Sequence, residues 1–224
     1  MSLLPKQMSR ARRMHRLHSI LTLTGALQAR EILFQNMLNQ NAEAAGVTLR
    51  GIYPVVGAAN YSLLYVVFRS LSELPVASVM DIGAGLTSIL LSAMADAFPH
   101  RAVTLESNEQ WAKVIGPKIR HPLLVSALAD DGEYREQPAG TYDMVIVDGP
   151  AGAMRHSRKS SLAVLQKCLA EEFLVIFDDA ERRGEQDTIL EFCKSHPEAR
   201  TQYVMSNKAQ CLVFTKKFGA AEFF

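Results

Sequence analysis

The amino-acid sequence predicts an α/β fold built on a doubly wound, mainly parallel sheet of seven strands. Three observations carry that prediction. An apolar run at 76–82 leads into Asp81-Ile82-Gly83-Ala84-Gly85, then into a segment whose apolar residues Leu90, Leu91 and Met94 recur at helical spacing. Beyond Ala77, short apolar runs alternate with helix-patterned segments, the rhythm of βα units joined by right-handed crossovers. The last two runs are separated only by Asn207-Lys208-Ala209. That is too short for a parallel crossover, so they form an antiparallel hairpin at the sheet edge.

In chain order, residues 1–18 carry Lys6, Arg10, Arg12, Arg13, His15, Arg16 and His18. This cluster reads as a solvated, partly frayed helix start, or as a contact surface for an anionic substrate, a partner or a membrane face. From Leu17 to Ala45 the pattern is helical, with Leu17, Leu21, Phe34, Met37 and Leu38 at helix spacings. Gly25 can break it in two and Gly46 suits a C-cap. The Gly- and Pro-punctuated loop 51–61 contains Tyr53, Asn60 and Tyr61. Asn60 suits the N-cap of a helix burying Leu63, Leu64, Val67, Phe68 and Leu71. Strands are expected at 77–82, 102–106, 123–126, 142–148, 173–177, 201–206 and 210–215, and helices at 87–97, 108–115, 158–169 and 184–196. The natural division is a helical extension or cap over 1–75 and an α/β domain over 76–224.

Composition bounds the function. The 224 residues carry a net charge of only +1, which argues against bulk attraction to nucleic acid. Cys168, Cys193 and Cys211 lie far apart in apolar contexts, so reduced core thiols are expected rather than a disulfide framework or zinc site. No run has the length of a membrane span, and the basic N-terminus lacks the h-region of a secretory signal. A reducing, cytoplasmic setting is the default expectation, with self-association through the N-terminal helices as one role for the extension.

The glycine turn carries the first chemical signal. Dinucleotide enzymes use G-x-G-x-x-G, but Ser88 stands at the third glycine position. Asp81, two residues before the first glycine, would repel a pyrophosphate and suit a cationic ligand. The arrangement D-x-G-x-G resembles the first motif of class I S-adenosylmethionine-dependent methyltransferases, and the whole layout over about 76–216 is similar to their Rossmann-like fold. The resemblance implies that Asp81, Gly83 and Gly85 bind the methionine part of S-adenosylmethionine. Glu106, at the end of Val103-Thr104-Leu105-Glu106, sits where an acid accepts hydrogen bonds from both ribose hydroxyls. The loop after the third strand, with Ala127 and Leu128, is expected near the adenine. Trp111 has two readings, the adenine side or core packing.

Two further strands end in acid. Tyr142–Val147 runs into Asp148-Gly149-Pro150, and Phe173–Phe177 into Asp178-Asp179. Neither an Asn/Asp-Pro-Pro-aromatic motif nor a Pro-Cys pair is present, so transfer to oxygen is the favoured chemistry. Three carboxylates at neighbouring strand tips are costly without a cation. In catechol-type and some sugar O-methyltransferases aspartates at these positions hold a metal, so the resemblance implies Mg²⁺ on Asp148, Asp178 and Asp179. The competing reading is metal-free, with Asp148 or His156 as general base. The pieces V-D-G-P-x-G, Arg158 and D-x-x-R-R also resemble polysaccharide methyltransferases acting on glucuronic acid side chains. That similarity implies a sugar hydroxyl as acceptor, with Arg155, Arg158, Arg182 and Arg183 gripping a substrate carboxylate or phosphate. Tyr61 could touch substrate. The rival functions are a non-catalytic cofactor-binding module and a nucleic-acid methyltransferase using the basic N-terminus.

Overall fold

The computed structural model describes residues 4–23, 25–55 and 58–224. Val56 and Gly57 of the expected loop, and the side chains of Lys6 and Leu21, lie outside the described residues. The elements are α1 (Leu4–Leu23), α2 (Ala26–Ala44), α3 (Tyr61–Glu73), β1 (Ser78–Ile82), α4 (Leu86–Met94), β2 (Arg101–Glu106), α5 (Glu109–Ile115), β3 (Leu123–Val125), β4 (Tyr142–Val147), α6 (Ser160–Cys168), β5 (Leu169–Phe177), α7 (Arg183–Ser195), β6 (Arg200–Met205) and β7 (Ala209–Phe214).

The seven strands form one sheet in the order β3-β2-β1-β4-β5-β7-β6. Strands β1 to β5 are parallel, while β7 runs antiparallel to both β5 and β6. This is the doubly wound, Rossmann-like layout with a terminal hairpin that the sequence predicts. β5 begins four residues earlier than expected, because Leu169 pairs with Tyr142 across a register shift. Glu171 and Glu172, which hide this stretch in the sequence, are exposed.

Alternation along the central strands feeds two cores. Met144 and Ile146 face one layer with Leu38, Leu64, Phe68 and Leu91, while Val145 and Val147 face the other with Val164, Ile189 and Phe192. Each fully buried side chain of this size contributes about 1.5–3 kcal/mol. Helices α2, α3 and α4 therefore cover one face, and α6 and α7 the other.

The N-terminal helices are docked. Gly25, left-handed at φ 70°, separates α1 from α2. The basic helix α1 is tied down by Arg10 Nη1, which donates to the Thr201 carbonyl at 3.1 Å, and by His15 Nδ1, 2.8 Å from the Glu181 carbonyl. Arg12, Arg13 and Arg16 remain exposed. Asn60 caps α3, its side chain accepting from Leu63 N–H at 3.1 Å.

The turns after β1 and β4 touch through backbone. Gly83 has φ +105°, and a Cβ built there would lie 2.7 Å from Gly149 N. The Gly149-Pro150 peptide bond is cis. Gly83→Ala adds both a left-handed strain and a backbone collision. It should lower unfolding stability by about 2 kcal/mol or more, read from the midpoint of urea denaturation.

Candidate active site

The strand order reverses between β1 and β4, and there the carboxyl ends of parallel strands open a crevice. The ladder carries on past the strands: Asp148 N–H donates to Ile82 O at 2.9 Å and Asp178 N–H to Val147 O at 3.1 Å. Successive strand tips therefore deliver their acids side by side.

On the β1–β2 side, Glu106 is buried. One of its oxygens accepts from Ala84 N–H at 2.9 Å and the other from Asn108 N–H at 2.7 Å. The carboxylate thus ties the glycine turn to the loop after β2; the oxygen that meets Asn108 also accepts from Ser107 Oγ at 3.5 Å, and the one that meets Ala84 keeps a second acceptor position. Asp81 is placed differently from its expected direct contact with a ligand. It is wholly buried and accepts from Thr87 Oγ1 at 2.9 Å and Ser88 Oγ at 2.6 Å, tying the start of α4 to β1. Burial pushes its carboxyl up to about 7 against these two donors, so any influence on a ligand is exerted through the turn and the field. Gly85 precedes α4, its N–H donating to Ser88 Oγ at 3.1 Å.

Trp111 resolves its two readings in an informative way. Its ring is 46% exposed rather than packed in the core, and its indole N–H donates to the Ala84 carbonyl at 2.6 Å. An apolar ring is therefore held against the glycine turn. A groove of about 780 Å³ opens beside β3, lined in part by Ser107, Ala112, Val125 and Ala127. Leu128 is not among its lining residues; its backbone pairs with Tyr134 instead.

On the β4–β5 side the three aspartates converge as expected. Among the described residues, carboxylate oxygens of Asp148, Asp178 and Asp179 lie within 4.8 Å of one another. The cations around them belong to the protein. Arg158 Nη2 donates to Asp148 Oδ1 at 3.2 Å and to Asp179 Oδ2 at 2.8 Å. Lys208 Nζ lies 3.1 Å from Asp178 Oδ2 and 3.2 Å from Asp179 Oδ1. Arg182 Nη1 adds a third contact to Asp179 at 2.8 Å. Mg²⁺ would need these same oxygens at about 2.0–2.1 Å, with no ammonium beside them. The donor set therefore does not fit a resident divalent cation.

Arg158 corrects the expectation that it grips a substrate anion. Its side chain is only 5% exposed. Besides the two carboxylates, its fork donates to Pro150 O at 3.2 Å and Asp178 O at 3.3 Å. Its reach is spent inward, across the ends of β4 and β5. His156 is also displaced from its expected role. It is exposed, its backbone N–H donates to Asp187 on α7 at 3.2 Å, and among the described residues no contact joins it to Asp148. Arg155 pairs with the same Asp187 at 2.5 Å. Arg182, 50% exposed, stays at the rim. Tyr61 is half-buried at the start of α3, its hydroxyl accepting from Gln35 at 3.1 Å.

The electrostatics separate the acids. Burial first, and then Asp178, push the Asp148 carboxyl well above its usual range, against the pull of Arg158 and Lys208. For Asp178 burial acts upward too, but Lys208, Arg158 and Gln210 outweigh it and hold the group below the usual range. Lys208 and Gln210 were missed as site residues. Gln210 Nε2 donates to Asp178 Oδ1 at 2.8 Å. The signal was the short turn 207–209: extending the β5–β7 register puts Gln210 opposite Asp178. That inference needs β7 to be the neighbour of β5, which local pattern does not state.

The mainly parallel sheet with its reversed seventh strand is the Rossmann-like layout of methyltransferases. No protein-family model matches the sequence, and no curated protein matches it. Among solved structures, similarity is found to a precorrin-6y C5,15-methyltransferase from Geobacter metallireducens, at 20% identity over 75% of this chain and 93% of that one, with a TM-score of 0.48. A methyltransferase from Geobacter sulfurreducens is 14% identical over 81% and 87%, with a TM-score of 0.44. A plantazolicin methyltransferase in complex with a substrate analogue and SAH is 9% identical over 96% and 100%, with a TM-score of 0.47. Likenesses this distant do not assign an activity.

Removing Arg158 leaves buried carboxylates without their main partner. Arg158→Met should therefore destabilise the fold by about 3–5 kcal/mol, measured by urea unfolding at neutral pH.

Proposed function

We propose that this chain is an S-adenosylmethionine-dependent O-methyltransferase acting on a small hydroxylated or glycan-type acceptor, with Asp148 as the general base. The carrying observation is a contrast within one cluster. Asp148 keeps 19% of its side chain accessible, while Asp178 and Asp179 keep 0% and 2%. Asp148 is also the acid whose affinity for a proton is raised. A reachable carboxylate of raised basicity at the switch point is suited to take a proton from a weakly acidic hydroxyl.

S-adenosylmethionine supplies a methyl group activated on a sulfonium centre. The protein's part is alignment. Glu106 offers its remaining acceptor positions to the ribose hydroxyls, and the Gly83–Gly85 turn lets backbone approach closely. Trp111 gives the same side of the crevice an apolar wall. Opposite, Asp148 accepts the acceptor's hydroxyl proton as its oxygen takes the methyl. Arg158, itself held by Asp179, keeps that carboxylate in place. Arg182 and Tyr61, at the rim, are proposed to contact the acceptor, and residues 1–75 are proposed to set which acceptor enters. No helix among the described residues is long and apolar enough to cross a membrane.

Isothermal titration with S-adenosylmethionine tests the cofactor half. Glu106→Ala should weaken binding about tenfold or more, the loss expected for hydrogen bonds to a charged group. Unchanged affinity would remove Glu106 from that role. Asp148→Asn tests the other half: kcat should fall about 10²- to 10⁴-fold with cofactor affinity kept. The acid form of Asp148 cannot accept a proton. Wild-type kcat should therefore rise with pH through a single ionisation placed above the ordinary carboxylate range and then level off. A flat profile down to pH of about 4, where a normal carboxylate titrates, counts against the assignment.

A further inference from the structure

We propose that Lys208 is the resident cation of this acid cluster. Its ammonium holds the place that a divalent metal would occupy, so the site neither needs nor binds one. The ammonium donates to Asp178 Oδ2 at 3.1 Å and to the Ala58 carbonyl at 3.2 Å, and it lies 3.2 Å from Asp179 Oδ1, a buried oxygen that takes no hydrogen bond and whose charge the ammonium faces as an ion pair. Its position is built by the fold. Lys208 stands in the β6–β7 turn, and that turn is fixed from two sides. Asn60 Nδ2 donates to Asn207 Oδ1 at 2.6 Å and to Ser206 Oγ at 2.9 Å. From the other side, Ala180 N–H donates to Ala209 O at 2.8 Å, and Ala209 N–H to a Glu181 carboxylate oxygen at 2.7 Å.

Only 17% of the Lys208 side chain is accessible. Burial disfavours its charge, but Asp178, Asp179 and Asp148 outweigh that and strengthen its hold on the proton. Two protein cations, the buried Arg158 and the half-buried Lys208, thus face three carboxylates. A dication placed among the same oxygens would sit within a few ångströms of this ammonium and be repelled by it. Lys208 is a positioning residue on this reading, acting on the acceptor only through Asp148 and its neighbours.

The test has a metal-binding arm that does not depend on the methyl-transfer reading, and an activity arm that does. Mn²⁺ is titrated onto the full wild-type chain and onto Lys208→Met, with bound metal read from loss of the free-ion electron paramagnetic resonance signal and folding checked by thermal melting. The wild type should show no binding up to millimolar Mn²⁺, and the variant should bind it. Micromolar binding by the wild type overturns the proposal, as does a folded Lys208→Met that binds no Mn²⁺. If that variant does not fold, Lys208→Gln takes its place, and the wild-type titration stands on its own. In the activity arm, EDTA should leave wild-type turnover unchanged; loss of turnover restored by Mn²⁺ or Mg²⁺ overturns the proposal. Absence of turnover with any acceptor would fault the methyl-transfer reading while leaving the Mn²⁺ result to decide the role of Lys208.

Discussion

Three carboxylates delivered to neighbouring strand tips cannot stay ionised together without compensation, and much of the crevice is arranged around that constraint. Each arrives for a backbone reason. Asp148 and Asp178 extend the β1–β4 and β4–β5 ladders by one hydrogen bond, so their side chains are fixed where parallel strands end. Arg158 answers from the loop before α6, and Lys208 from the tip of the terminal hairpin. The cations are covalently part of the chain, so the order of the site is tied to the order of the fold. A group so bound is strongly destabilising to lose on one side alone.

The other half of the crevice depends on close approach rather than charge. Gly83 and Gly149 bring two turns together at distances where a Cβ on either would collide with backbone. That contact sets the spacing between the Glu106 side of the crevice and the Asp148 side. Glu106 takes one backbone N–H on each oxygen. It organises the loop around itself while remaining able to accept more.

The N-terminal segment is connected to this arrangement by hydrogen bonds as well as by packing. Glu31 of α2 accepts from Tyr61 N–H at 2.5 Å, and its other carboxylate oxygen lies 3.1 Å from Asn60 Nδ2. Asn60 in turn holds the β6–β7 turn that carries Lys208. Ser62 donates to Gln210 at 2.7 Å, and Gln210 donates to Asp178. A chain of buried polar groups therefore runs from the helical extension to the acid cluster. In such networks each member fixes its neighbour's geometry.

What the sequence determined by itself was the part written in local periodicity. Apolar runs of strand length, helical spacing after each and one short turn at the end specified the elements and the mixed sheet. The acids ending β1, β2, β4 and β5 were legible because parallel strands end on the same side. Tertiary structure decided which of those groups face a ligand and which face one another. Asp81 turned inward to hold the hydroxyls of the first turn of α4, Arg158 turned inward to bridge two strand tips, and Trp111 turned outward onto the glycine turn. Lys208 lies thirty residues from Asp178 in sequence yet 3.1 Å away in space. The physical reason is that charge pairing is set by distance through space, and in a doubly wound sheet the neighbours of a strand tip come from segments that no local pattern places side by side.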